Sequence, residues 1–286
     1  MSSLTHLLPS FSAIDSSFSN KQTKQYDLLM EFGYDGFRYA LWDNKSAEFI
    51  ALNDFEIPDL YHLNATNLEN YLSDPAEFLF DYRSVKIGVN HIKYTLVPQV
   101  LFDENRLNEY LELQHLVNED ELIIHDKCHG LQAYIVYTIP KSILHATRIK
   151  FENCRFYHSA GVAIEGIISE KINGETATVF LDDKCFLIIL FQKAKQSYCN
   201  SILLTCPEDV LYFVLNAFKQ LGIDPHMQHL TLSCNHKDQS EIFELLRKYI
   251  LHISYRARPD FIRVSKGLDA VKPHQYHKLF SLKLCV

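Results

Sequence analysis

Apolar segments of strand length, separated by short polar turns, dominate the hydrophobic pattern of this chain and occur in two similar sets. The first set predicts three consecutive antiparallel strands, Asp27–Glu31, Phe37–Trp42 and Glu48–Asp54. The second set predicts three more, Glu175–Leu181, Cys185–Gln192 and Gln196–Leu204. Polar turns such as Asp43-Asn44-Lys45 suit these positions, because Asp and Asn bond their own backbone in turns. The chain therefore contains an internal repeat.

Segments with helical spacing follow each set of strands. After the first set, the pattern predicts helix Asn64–Leu72, strand Ser84–Asn90, an extended edge segment Tyr94–Leu101, helix Glu104–Leu113, strands Glu121–His125 and Leu131–Ile139, a helix from Pro140 to Ile149, strand Cys154–Tyr157 and helix Ala160–Ile168. After the second set, it predicts a helix from Pro207 that Gly222 ends, strand His229–Cys234, helix Gln239–Tyr249 capped by Asp238 and Glu241, and strand Leu251–Ser254. A crossover helix that returns to its own sheet makes parallel neighbours. We therefore expect a mixed sheet flanked by helices, duplicated, with insertions in the first half.

Composition narrows the class of protein. Of the 286 residues, 47% are hydrophobic, which is enough for a sizeable core. The sequence has no apolar run long enough to span a bilayer, so we expect no membrane insertion, and Met1–Asn20 lacks the pattern of a secretory signal. Seven Cys residues without framework spacing are typical of reduced thiols. These features predict a cytoplasmic protein.

Charge is unevenly distributed along the chain. The tail 247–286 holds nine basic and two acidic residues, a net charge of +7, which leaves −14 on the rest of a chain whose total is −7. The tail could dock on its own acidic body, or it could offer a basic surface to an anionic partner. Its apolar residues Leu279, Phe280 and Leu282 favour docking. Arg256 and Arg258 lie near aromatic residues, as in some nucleic-acid sites, but two Arg are ordinary and we do not expect nucleic acid to be the partner.

The order of elements resembles the actin-like ATPase superfamily, which includes sugar kinases, heat-shock chaperone ATPases, actin and pilus-assembly actin-like proteins. Tyr94–Leu113 and His274–Cys285 also resemble a bacterial family of unknown function. The resemblance implies an α/β fold of two ribonuclease H-like (actin-like ATPase) domains, each a mixed sheet with an antiparallel three-strand meander and parallel strands flanked by helices. We expect a loose N-terminal segment over 1–25, a first domain with an insertion over 26–172, and a second domain with the basic tail over 173–286.

The superfamily binds ATP between its two domains, in hairpins where glycine lets backbone N–H groups approach phosphate and acids place Mg²⁺. The first hairpin, Glu31-Phe32-Gly33-Tyr34-Asp35-Gly36, has an acid and glycine, but Tyr34 stands where a small residue is expected. The second, Leu181-Asp182-Asp183-Lys184-Cys185, has acids and no glycine. The turn expected to hold adenosine, Asn235-His236-Lys237-Asp238, also lacks glycine, and the chain has nine glycines in all.

These departures predict degenerate nucleotide loops. The candidate cofactor-binding residues are Glu31, Gly33, Asp182 and Asp183, and with Asp35 the acids should line the mouth of the cleft. Our first hypothesis is a pseudoenzyme: a non-catalytic binding or scaffold module without a cofactor, whose cleft takes a protein partner or peptide. The alternative is a divergent ATPase or kinase that uses ATP with magnesium, in which Glu31 and Asp182 organise the metal ion.

The fourteen histidines raise a separate question of metal binding. Two groups of His and Cys lie close together in the sequence: His125, Cys128 and His129, and His226, His229, Cys234 and His236. Neither group has the paired spacing of a structural zinc site, so we expect no metal.

Overall fold

The computed structural model describes residues 7–170, 175–193, 195–235, 237 and 239–286. Fourteen strands lie in these residues: β1 Phe11–Ile14, β2 Tyr26–Gly33, β3 Gly36–Asp43, β4 Glu48–Glu56, β5 Ser84–Val89, β6 Tyr94–Pro98, β7 Glu121–Cys128, β8 Ala133–Pro140, β9 Cys154–His158, β10 Thr176–Leu181, β11 Cys185–Gln192, β12 Lys195–Leu203, β13 His229–Cys234 and β14 His252–Tyr255. The α-helices are α1 Ala65–Ser73, α2 Leu107–Glu112, α3 Lys141–Lys150, α4 Ser159–Ser169, α5 Pro207–Leu221, α6 Ser240–Arg247 and α7 His277–Ser281.

Apart from the extra edge strand β1, the two large sheets share one strand order, which confirms the predicted duplication. The first sheet runs β1-β4-β3-β2-β5-β9, and the second runs β12-β11-β10-β13-β14. In each sheet three antiparallel strands form a meander, and the last two strands lie parallel to the first strand of that meander. The strands β6, β8 and β7 form a third, antiparallel sheet inserted between β5 and β9. These sheets and their helices form the predicted mixed α/β architecture.

The central strands explain why their sequences are so apolar. Every residue of β2 is buried, and β11 is buried except at its last residue. A strand covered on both faces reads as a continuous apolar run instead of an alternating one. Any charged residue in such a strand must find a partner inside the protein. Both β2 and β3 contain charged residues.

Local signals set the boundaries of α1 and α5 close to where we expected them, whereas α2 and α6 are shorter than predicted. The Oδ1 of Asn64 accepts a hydrogen bond from the N–H of Asn67 at 2.9 Å and caps α1. Pro207 occupies the first turn of α5, and Gly222 ends that helix with φ of +67°. In the predicted box at the start of α6, Asp238 lies outside the described residues, as does His236 of the adjoining turn.

The basic tail packs on the first sheet, although the sequence-based division assigned it to the second domain. Its apolar residues Leu279, Phe280 and Leu282 share a buried cluster with Leu29, Trp42, Phe49 and others from β2, β3 and β4. The Phe280 ring centroid lies 4.4 Å from that of Phe49. The tail therefore docks on the body of its own chain, because this face of the first sheet is apolar and α7 covers it.

Two other sequence-based expectations need correction. Part of the segment 1–25 is ordered: β1 pairs antiparallel with β4, and the Ser10 N–H donates to the Asp54 carbonyl at 2.8 Å. Its Ser-rich composition concealed a strand that needs a neighbour to form. The predicted loop Asp126–Gly130 is also shorter, because β7 continues through Cys128 in register with β8. In the part of the chain that the structure describes, no helix has both the length and the apolarity to cross a bilayer.

Candidate functional site

Side chains from both halves converge on one carboxylate, that of Asp182 in the second predicted hairpin. Asn90 follows the end of β5, and its Nδ2 donates to Asp182 Oδ2 at 2.7 Å. Asn235 follows the end of β13, and its Nδ2 donates to Asp182 Oδ1 at 2.8 Å. The carboxyl ends of parallel strands form the usual site edge of α/β sheets, so both amides reach the turn after β10. This edge is where the superfamily resemblance predicts a nucleotide.

Arg38 on β3 occupies the centre of this site. Its Nη2 donates to both oxygens of Asp35 at 2.9 Å, and its Nη1 lies 3.3 Å from Asp182 Oδ1 and 3.5 Å from Glu31 Oε2. Its Nε lies 3.4 Å from Asp54 Oδ1. The side chain is 2% exposed. A single planar guanidinium thus contacts four carboxylates, a task for which its fixed fork of donors is suited.

The tail supplies a second buried cation, Lys278 on α7. Its Nζ donates to Asp182 and lies 3.5 Å from Glu31 Oε1. The Ser159 hydroxyl at the start of α4 donates to Glu31 Oε1 at 2.9 Å. We call the set Glu31, Arg38, Asp182 and Lys278, with Asp35 and Asp54, the cleft network. It joins the first sheet, the second sheet and the tail.

Burial and charge act against each other in the cleft network. Burial disfavours the ionised form of Asp182, but Lys278 and Arg38 outweigh it and hold the pKa of Asp182 below its usual value. The four surrounding carboxylates raise the pKa of Arg38 in spite of its burial. Burial and the neighbouring Asp182 and Asp54 raise the pKa of Asp35 despite its contact with Arg38. Within the network two cations face four carboxylates.

The space beside Gly33 is occupied by a side chain of the same hairpin. A Cβ atom at Gly33 would lie 2.7 Å from Asp35 Oδ1, so the room beside this glycine holds the chain's own carboxylate. Gly36 is required for another reason. Its φ is +145°, and a Cβ atom there would lie 1.9 Å from the Phe55 carbonyl oxygen.

The structure places the predicted site residues at two depths. Glu31 and Asp182 are 1% and 3% exposed, so they lie inside the protein and not at the mouth of the cleft, where we expected them. Asp35 and Asp183 lie nearer the surface. Lys237 contacts Asp183 and lies 3.3 Å from Glu56 of the first sheet, which makes a second link between the halves. Nucleotide binding by Glu31, Gly33, Asp182 and Asp183 stays a prediction.

Sequence reasoning missed the cations. Arg38 stands between apolar residues in a strand buried on both faces, and Lys278 stands beside Leu279 and Phe280 in the tail. An isolated charge in such a setting requires a buried counter-charge, and this signal could have identified both residues. Asn90 and Asn235 carried no comparable signal, because polar residues commonly end strands.

The two histidine groups were also placed by the structure, apart from His236. Cys128 and Cys234 are buried, whereas His125 contacts the Phe102 ring, with centroids 5.0 Å apart. Among the described residues, no three or more His, Cys, Asp and Glu side chains are arranged to hold a metal ion.

Comparison with solved structures defines the fold as that of the actin-like ATPases. A protein of Bacteroides thetaiotaomicron VPI-5482 with an actin-like ATPase fold and unknown function matches with a TM-score of 0.78 and 20% identity, over 95% of this chain and 100% of that chain. A chain of the PilM–PilN type IV pilus biogenesis complex matches with a TM-score of 0.55 and 11% identity, over 90% of this chain and 97% of that chain. No curated protein matches the sequence. The chain belongs to a family of proteins of unknown function, DUF3822, whose profile matches residues 15–253.

Proposed function

We propose that this protein is a non-catalytic binding or scaffold module of actin-like fold, in which the cleft network takes the place of a bound nucleotide. The observation that carries the proposal is that Arg38 and Lys278 both contact Glu31 and Asp182, one acid from each half. In the superfamily these hairpin acids serve a nucleotide and its metal ion. Here buried cations of the same chain already neutralise them.

A nucleotide with magnesium at this position would have to break the contacts of Arg38 and Lys278 with the hairpin acids. Separating the members of a buried ion pair costs about 3–5 kcal/mol, and each 1.4 kcal/mol weakens binding about tenfold. Such a site would therefore bind ATP at least about a hundredfold more weakly than an otherwise equal site without these cations.

Nucleotide titration tests this part of the proposal. We expect the melting temperature of the protein to stay constant in millimolar ATP with magnesium, measured by differential scanning fluorimetry and checked by equilibrium dialysis. A ligand well above its Kd would stabilise the native state by about 2–3 kcal/mol. Magnesium alone and ATP with a chelator serve as controls. A saturable, magnesium-dependent shift would overturn the proposal in favour of the divergent ATPase or kinase.

The same proposal assigns the outer rim of the cleft to a protein partner. The rim includes Asp183, Lys237 and Glu56, which link the two halves near the surface. The PilM–PilN structure is a complex of the pilus biogenesis system, and it supports protein binding by analogy alone. We also propose, as the sequence predicts, that the protein is bacterial and cytoplasmic.

The partner is tested by capture followed by reconstitution. A protein captured from the source cells must rebind the purified chain with a saturable isotherm. We expect Asp183→Lys to weaken that binding about tenfold or more, since it reverses a charge at the rim. Asp260→Lys, which makes the same charge change at an exposed tail position, should leave it unchanged. Equal binding by both variants would exclude the rim as the binding surface.

A further inference from the structure

A cation-rich groove lies at the opposite end of the first sheet from the cleft. Strands β5 and β9 begin at the groove and end near Asn90 and Ser159, so roughly 15–20 Å of strand separates the two places. The groove has a volume of about 950 Å³. We call it the basal groove. Five cationic side chains line it: Arg83, Lys86, Lys150, Arg155 and Lys283.

Strand register and contacts within the protein bring several of these cations close together. Lys86 and Arg155 are in register on the parallel strands β5 and β9, so their side chains leave the same face of the sheet. The Lys86 Nζ donates to the carbonyl of Lys283 at 3.3 Å, which ties β5 to the segment after α7. The Lys283 Nζ lies 3.0 Å from the Trp42 ring centroid. Contacts within the fold therefore hold the Lys86 and Lys283 side chains in place.

The cations of the basal groove repel one another. Burial lowers the pKa of the Lys86 ammonium; Cys285 and Asp27 act in the opposite direction, and Arg83 and Arg155 lower the pKa further. Burial also lowers the pKa of Lys283; Asp27 acts against burial, and Arg263 and Lys86 act with it. Asp27 offsets part of this repulsion through its ion pair with Arg83, whose Nη2 lies 2.7 Å from the carboxylate. A bound anion would relieve the repulsion that is left.

We propose that the basal groove binds an acidic peptide segment of a partner protein. Charge complementarity requires an anion, and clusters of Arg and Lys are a common means of recognising acidic motifs. Apolar side chains also line the groove, among them Phe80, Ile149 and Leu284. They suit a segment in which apolar residues alternate with acids. The groove volume is typical of pockets that bind small ligands, so the groove has room for a short peptide segment of a few residues.

A nucleic acid fits this groove less well. Specific nucleic-acid interfaces bury about 1,000 Å² or more of protein surface and are strongly positive throughout. The basal groove is compact, and the exposed acids Asp81 and Glu152 also line it. They would repel a continuous phosphate backbone, whereas a peptide can place neutral residues beside them.

The test measures binding of a fluorescein-labelled peptide of alternating Glu and Leu by fluorescence anisotropy. The variant is Lys150→Glu with Arg155→Glu, since Arg155 is exposed and Lys150 ends α3. Its matched control is Lys219→Glu with Lys248→Glu, two exposed positions in the second half that give the same net charge. We expect saturable binding to the wild type, about tenfold or more weaker binding to the groove variant, and unchanged binding to the control.

Each other outcome overturns the proposal. Equal weakening in both variants would indicate general attraction to positive charge, and no saturable binding to the wild type would remove the peptide assignment. Tighter binding of a single-stranded oligonucleotide than of the peptide, abolished by the groove variant, would assign the groove to nucleic acid. Because this surface is separate from the cleft, nucleotide titration of the same samples distinguishes failure here from failure of the proposed function.

Discussion

The Nη1 atom of Arg38 lies 3.3 Å from Oδ1 of Asp182, although 144 positions separate the two residues along the chain. Arg38 belongs to the first sheet, and Asp182 follows the first strand of the second. The contact therefore joins the two repeats of the fold at the place where the superfamily resemblance predicts a nucleotide. It gives the hairpin acid Asp182 a buried counter-charge within the protein.

We predict that Asp182→Asn destabilises the protein strongly. Asparagine has the same shape, but it removes the charge that Arg38 and Lys278 share, so two buried cations lose a counter-ion. The free energy of unfolding should fall by about 3–5 kcal/mol. Urea denaturation followed by circular dichroism measures the change. The control Asp260→Asn, at an exposed position, should stay within about 0.5 kcal/mol of the wild type; a similar loss in both variants would contradict the role of Asp182.

We predict that Arg38→Lys destabilises the protein even though it preserves the charge. A lysine ammonium is a compact point charge and cannot contact Asp35, Asp54 and Asp182 together. Losing charged hydrogen bonds in a buried site should lower the free energy of unfolding by on the order of 2 kcal/mol. Arg247→Lys, whose side chain is 65% exposed, is the matched control. Equal stability of Arg38→Lys and wild type would show that the guanidinium geometry does not matter.

We predict that Gly166→Ala weakens the contact between α4 and the tail. A Cβ atom at Gly166 would lie 2.4 Å from Ser281 Oγ and 3.1 Å from Ser281 Cβ. Overpacking of this kind costs about 1–3 kcal/mol, whereas helix propensity alone would make the change favourable by about 1 kcal/mol. The sign of the change in unfolding free energy thus separates the two effects. The double variant with Ser281→Gly should recover part of the loss, and a stabilised single variant would contradict the close contact.

We predict that the protein loses stability as the pH falls below about 6.5, the ordinary value for histidine. Burial lowers the pKa of His91 to about 4 and those of His158 and His277 to about 3. The folded state keeps these rings neutral, while the unfolded chain binds protons below that ordinary value. Their contribution is therefore complete above pH 6.5 and decreases down to the folded pKa values, by about 1.4 kcal/mol per pKa unit for each ring.

The melting temperature measured across this pH range tests whether these buried histidines cause the loss of stability. His158 is the most informative position, because its Nδ1 accepts from the Ala160 N–H at 3.2 Å and caps α4. His158→Asn keeps an acceptor for the cap and removes the titrating ring, so the dependence on pH should become shallower. His226→Asn, at an exposed site, should leave the dependence unchanged. If the melting temperature of His158→Asn depends on pH as steeply as that of the wild type, protonation of His158 does not contribute to the loss of stability.

Much of the fold follows from local sequence. The bounds of β11 and β13 agree with the prediction to the residue, since long apolar segments between polar turns leave little choice of register or length. The repeat of three strands and two crossover helices was visible for the same reason. The strand β1 was not, because a short Ser-rich segment becomes a strand through pairing with β4, and this pairing has no local signal.

The candidate site was likewise only partly predictable from the local sequence. The sequence by itself determined which glycines the hairpins lack and where their acids stand, because both are properties of single positions in short turns. Only the tertiary structure decided what those acids contact, since Lys278 reaches Asp182 from 96 positions away and Arg38 from 144. The physical reason is that a buried charge selects its partner by three-dimensional proximity and the cost of desolvation. Neither quantity can be read from the residues that adjoin it in the chain.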